Sequence, residues 1–94
     1  MADARKLTKV FRSLSVETRV RIVQLLKKRA LCVNALAARL DVTPAAVSQH
    51  LRVLRDADLV IADRRGYYVH YRVNPRTLGE WKKMADEVLG PEGE

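Results

Sequence analysis

The stretch TPAAVSQHLRVL, Thr43 to Leu54, decides the fold. Val47, Leu51 and Leu54 recur at the spacing of a helix with one apolar stripe. Thr43 suits the N-cap and Pro44 the first helical position, where a missing N–H costs nothing. With about 100° between successive residues, Ala45, Ser48, Gln49, Arg52 and Asp56 share the arc opposite that stripe. His50 falls at the edge of the apolar arc. The helix is expected to run to about Ala57.

The residues on either side place this helix in a larger unit. Roughly Asn34 to Leu40 reads as a short helix, and the link Asp41-Val42-Thr43 reverses the chain. Two short helices joined so tightly form a helix-turn-helix. Downstream the period changes. In LVIADRRGYYVHYRV, β-branched and aromatic residues alternate, with Tyr67, Val69, Tyr71 and Val73 expected on the packed face. Gly66 supplies the positive φ of a tight hairpin turn, which puts Arg64 and Arg65 at the tip.

Two further helices lie upstream and one downstream. The first covers about residues 4–13, with Leu7, Val10, Phe11 and Leu14 on one stripe. The second opens after Ser15 as N-cap, carries Val20, Ile22, Val23, Leu25 and Leu26, and ends in Lys27-Lys28-Arg29, which complements the helix dipole. The last covers about 76–89, after Asn74-Pro75, with Leu78, Trp81, Met84 or Ala85, and Val88 in line. The predicted order is ααααββα: mainly α with a two-stranded hairpin, a single winged helix-turn-helix domain.

A chain of 94 residues has a small core, and hiding both terminal stripes within it is difficult. Leu7, Val10, Phe11, Leu78, Trp81, Met84 and Val88 are therefore candidates for a homodimer interface. The plainer alternative packs both stripes inside one subunit. No apolar run approaches the roughly 18 residues of a membrane span, and the N-terminal residues lack a signal-peptide core. With its single cysteine, the chain is expected to be cytoplasmic.

The formal charge of +7 and pI near 10.1 favour an anionic partner. Gln can bond adenine and Arg guanine through two hydrogen bonds each, while Ser serves base or phosphate. Small residues at the start of the helix open its N-terminus to a phosphate. Candidate DNA contacts are thus Thr43, Ala45, Ser48, Gln49, His50 and Arg52, with Arg64 and Arg65 on the hairpin. His50, at the boundary, suits a phosphate or the packing better than a base, and Asp63 argues for a limited wing contact. Each group also has a bland reading as solvated surface. A winged-helix module that binds another protein is the competing function, and RNA binding a weaker one. No catalytic constellation is present.

LSVETRVRIVQLL, LCVNALAARLDVTPAAVSQHLRVLRDADLV and DRRGYYVHYRV together resemble the ArsR family of bacterial winged-helix repressors over about residues 14–73. The resemblance implies a homodimer built by the first and last helices, an inverted-repeat operator of double-stranded DNA, and release by an effector. Metal-sensing relatives carry Cys-Val-Cys where this chain has Cys32-Val33-Asn34. One thiolate and an amide make a poor soft-metal site, and the last helix has no histidine for the family's other site. No metal or cofactor is expected. Cys32 is either a small packed hydrophobe or a thiol sensor.

Overall fold

The computed structural model describes residues 3–91. Its elements are α1 (Ala4–Ser13), α2 (Glu17–Lys28), α3 (Val33–Leu40), α4 (Pro44–Asp56), β1 (Val60–Arg65), β2 (Tyr68–Val73) and α5 (Pro75–Leu89). The order is the ααααββα of a winged helix-turn-helix.

Local chemistry explains most boundaries. Asp3 caps α1 by accepting from the Arg5 and Lys6 amides at 2.9 and 3.4 Å. Asp41 closes α3 in the left-handed region, at φ 55°, which an Asp side chain tolerates. Thr43 Oγ1 accepts from the Ala46 amide at 3.1 Å and starts α4. One expected cap is corrected. Ser15 does not cap α2; its hydroxyl turns back and donates to the Arg12 carbonyl at 2.7 Å. Val16 takes the cap position, without a side-chain bond, and α2 starts at Glu17, one residue later than a Ser15 cap would place it.

Leu36, Val47, Leu51, Leu54 and Leu59 meet Ile22 in the core and are essentially excluded from solvent. The stripe of α4 is therefore its inward face. Val20, expected inside, is 37% exposed, because it sits on the flank of α2 away from Ile22 and Leu26.

The hairpin pairs Val60 with Val73 through Arg65 with Tyr68, leaving a two-residue loop of Gly66 and Tyr67. Gly66 has φ 64°, as the tight turn requires. That loop overturns one expectation. Tyr67 is not on the packed face; it lies beyond the ladder and is 97% exposed. Tyr71 and Val73 do pack on the core. Leu31, between α2 and α3, adds a third partner to the hairpin. It exchanges both backbone bonds with Tyr71, at 3.1 and 2.8 Å.

A second knot joins the end of α4 to α5. Asp58 (φ 63°) turns the chain, its carbonyl accepts from Asn74 Nδ2 at 3.1 Å, and its carboxylate accepts from Thr77 Oγ1 at 3.3 Å. Thr77 is buried, so this bond satisfies a hydroxyl that would otherwise cost free energy.

The terminal stripes divide. Leu7, Val10 and Trp81 are buried inside the protomer, the plainer of the two alternatives for these three. Leu78 and Met84 are half-buried against the same core. Phe11 and Val88 stay exposed, at 43% and 55%, with Leu89 beside them at 73%.

Arg19 fastens α2 to two neighbours. Its Nε donates to His50 Nδ1 at 3.2 Å, and its Nη1 reaches the Arg12 and Ser13 carbonyls at the end of α1. Partial burial and then the Arg19 charge hold the His50 imidazole below its ordinary pKa of 6.5.

Two outcomes follow. Leu51→Ala should cost about 2–5 kcal/mol, the range for emptying a filled core site, read as a lower urea midpoint. The fold favours neutral His50, so its contribution is complete above pH 6.5 and is lost as pH falls below it. Thermal unfolding at pH 7.5 and 5.5 should show a larger drop for the native chain than for His50→Gln. Equal drops would discount the Arg19–His50 bond.

Candidate nucleic-acid interface

Because Val47, Leu51 and Leu54 point inward, the opposite face of α4 is committed to solvent. Ala45, Ser48, Gln49, Arg52, Arg55 and Asp56 are all exposed. Ser48, Gln49, Arg52 and Arg55 line a groove that Tyr71 of β2 closes on the far side. Among the described residues neither Arg52 nor Arg55 is in an ion pair. Two free guanidiniums and an amide on one helix face match the donors and acceptors of base edges in a major groove. Arg55 was not among the expected DNA contacts, and Tyr71 was expected only on the packed face of the hairpin. Arg55 was legible from its spacing to Arg52; Tyr71 required knowing which strand flanks α4.

The start of α4 is narrower as an anion site than the sequence suggested. Pro44 has no N–H, the Ala46 amide donates to Thr43 Oγ1, and the Val47 amide donates to the Thr43 carbonyl. Ala45 keeps the one unclaimed amide of this turn among the described residues. Thr43 itself is exposed, and its hydroxyl hydrogen is free to donate.

His50 is half-buried between the outward face and the core, with Nδ1 engaged by Arg19. That geometry suits fixing α4 better than reading a base.

At the wing, Arg64 and Arg65 are exposed and stand on opposite faces of the ribbon, as successive strand residues must. Tyr68 is 62% exposed beside Tyr67. The tip is therefore two cations and two phenols, of which the sequence reading had only the cations. Asp63, expected to weaken a wing contact, accepts from Arg72 Nε at 2.7 Å. Its charge is answered locally rather than at the tip.

Cys32 is half-buried at the foot of α3, and its thiol caps nothing. The Leu31–Tyr71 bridge brings this segment beside β2, which carries His70. His70 Nδ1 is buried without a hydrogen-bond partner among the described residues. No group of three His, Cys, Asp or Glu lies together among the described residues. The chain holds a single cysteine, so the residues present do not fit a thiolate-rich metal or metalloid site.

Known proteins share this arrangement. Residues 17–62 match the family described as "Bacterial regulatory protein, arsR family". The Arsenical resistance operon repressor of Escherichia coli is 38% identical over 84% of this chain and 68% of its own length. A Transcriptional repressor SmtB homolog of Synechocystis is 33% identical over 92% of this chain and 66% of its own. The chain thus spans about two thirds of the length of these relatives. An ArsR-like transcriptional regulator from Rhodococcus superposes with TM-score 0.79 at 30% identity, over 89% of this chain and 79% of that one. The sequence match and the superposition agree with the site: the chain belongs to the arsR family of bacterial regulatory proteins, transcriptional regulators that bind DNA through a winged helix-turn-helix.

Proposed function

We propose that the protein is a cytoplasmic homodimeric repressor that binds an inverted-repeat operator and leaves it when an effector binds. The observation that carries this reading is the outward face of α4, where Ser48, Gln49, Arg52 and Arg55 stand exposed while the inward stripe is locked in the core. Gln49 and Arg52 read base edges. Thr43, the Ala45 amide and the wing cations Arg64 and Arg65 hold phosphates or the adjacent minor groove. His50 acts through its bond to Arg19, setting the pose of α4.

Phe11, Val88 and Leu89 support the dimer. They are large, apolar and exposed on the two terminal helices. A homodimer suits the reading because two α4 helices about 34 Å apart meet successive major grooves, one turn of DNA. Leu7, Val10 and Trp81 belong to the protomer core and would support that surface from below. The effector site is not a soft-metal site at Cys32, where Asn34 replaces the second thiolate. Cys32 as a thiol switch stays within the proposal. The chain has no catalytic role in it.

Titration against DNA from the gene's own upstream region should give tight, salt-dependent binding to one imperfect palindrome. Gln49→Ala and Arg52→Ala should each weaken it by about 1–3 kcal/mol, with little effect on random DNA. Equal affinity for all sequences would defeat the repressor reading. Light scattering should show a dimer that Phe11→Asp with Val88→Asp converts to monomer.

A further inference from the structure

The net charge of the chain does not sit on the recognition surface. Residues 18–40, which hold α2 after its first residue and all of α3, carry six of the eighteen Lys and Arg and none of the eleven Asp and Glu. Residues 41–73, with α4 and the hairpin, carry five cations against four acids. DNA affinity comes largely from phosphate contacts, which take about half to two-thirds of the hydrogen bonds in such interfaces. The nearly balanced charge of α4 and the wing supplies little of that attraction.

The cations of α2 and α3 gather around one groove. It measures about 860 Å³, with the half-buried Leu25 and Leu40 and the exposed Arg21, Lys27, Lys28 and Arg39 lining it, and no acid among them. Arg21 pairs with Glu17 at 2.7 Å, whereas Lys27, Lys28 and Arg39 have no ion-pair partner among the described residues. The dipole of α2 presents roughly half a negative charge to Lys27 and Lys28, too little to answer these cations. No residue of α1 or α5 lines the groove. Val20, the exposed apolar residue of α2, projects about 140° from Leu25. A second copy seated here by two-fold symmetry would set the same cations against themselves. The groove also continues the DNA-facing surface. Arg39 stands four residues before Thr43, the cap of α4, and the first helix of a helix-turn-helix, here α3, crosses the phosphate backbone.

We propose that the α2–α3 groove is a second DNA contact, a track for the phosphate backbone beside the half-site that α4 reads. Lys27, Lys28 and Arg39 donate to phosphate oxygens, and Arg21 exchanges Glu17 for another. Phosphate contacts carry no base specificity, so the track adds affinity for any sequence while α4 selects among them. A nucleic-acid backbone suits the groove better than an acidic peptide, because the helix-turn-helix already brings a duplex against α3. The half-site rests on the proposed operator binding; the track needs only that the protein binds DNA.

Fluorescence anisotropy with duplex DNA, titrated across salt, tests the track. Lys27→Gln with Lys28→Gln removes two cations from each protomer and should flatten the slope of log K against log salt by about 3–4 for the dimer. Affinity for operator and for random DNA should fall together, each at least ~10-fold at ~0.1 M salt, with their ratio kept within ~3-fold. Lys82→Gln with Lys83→Gln removes the same charge from α5 and should leave the slope as it is. Lys27→Arg with Lys28→Arg should keep the native slope, with circular dichroism alike in all variants. Arg39→Gln should flatten the slope by about half as much, which keeps the test open if the lysine pair fails to fold. A native slope in the Gln pair of α2 would overturn the track and leave the groove to an acidic protein. Equal flattening by the α2 and α5 pairs would overturn it as an effect of net charge alone, and a loss confined to operator DNA would overturn it as well. Equal affinity of the native chain for operator and random DNA would sink the operator reading instead, with the slopes still deciding the track.

Discussion

The burial of Val47, Leu51 and Leu54 is the constraint on which the rest depends. A helix buried along one stripe has one allowed rotation about its axis, because turning it by a single residue would carry a leucine into water and a polar group into the core. That rotation is worth several kcal/mol, at roughly 1.5–3 kcal/mol for each large apolar side chain returned to water. The orientation of Gln49 and Arg52 is therefore a by-product of core packing. Nothing on the outward face has to hold itself in place, and among the described residues Arg52 and Arg55 have no ion-pair partner, which suits them to a ligand.

Two sets of hydrogen bonds convert that rotation into a fixed position. At the far end of α4, Asp58 ties the turn to Asn74 and the buried Thr77, so the hairpin and α5 leave the core in set directions. On the side of α4, Arg19 clamps His50 and the last carbonyls of α1. In the first knot only Thr77 is buried, and its partner Asp58 is exposed. The second is part-buried and centres on one guanidinium.

The parts legible in the sequence are those where local chemistry and tertiary packing agree. α4 is the clearest: its cap, its Pro44 and its stripe all name the same boundaries. The helix-turn-helix, the hairpin and Gly66 follow for the same reason. What stayed hidden depends on parity or on distance along the chain. Tyr67 alternates correctly with Val69 and Tyr71, but the two-residue loop removes it from the ladder, and only the register tells. Leu31 meets Tyr71, and Arg19 meets His50 across 31 residues, through contacts that no local pattern encodes. The terminal stripes were read as one surface, whereas the fold buries Leu7, Val10 and Trp81 and leaves Phe11 and Val88 outside. Of the site, the residues of α4, with Arg55 one turn beyond Arg52, and the arginines of the wing were legible, while Tyr71 and the tyrosines of the wing tip needed the three-dimensional arrangement.

The claim that matters most is that the outward face of α4 enters the major groove. Guanine N7 lies in that groove, so dimethyl sulfate footprinting on the bound operator tests it directly. The account predicts N7 protection in two clusters about 10 base pairs apart, on one side of the duplex, with the guanine opposite Arg52 regaining reactivity in Arg52→Ala. Full N7 reactivity throughout a saturated complex, with adenine N3 protected in the minor groove instead, would contradict it.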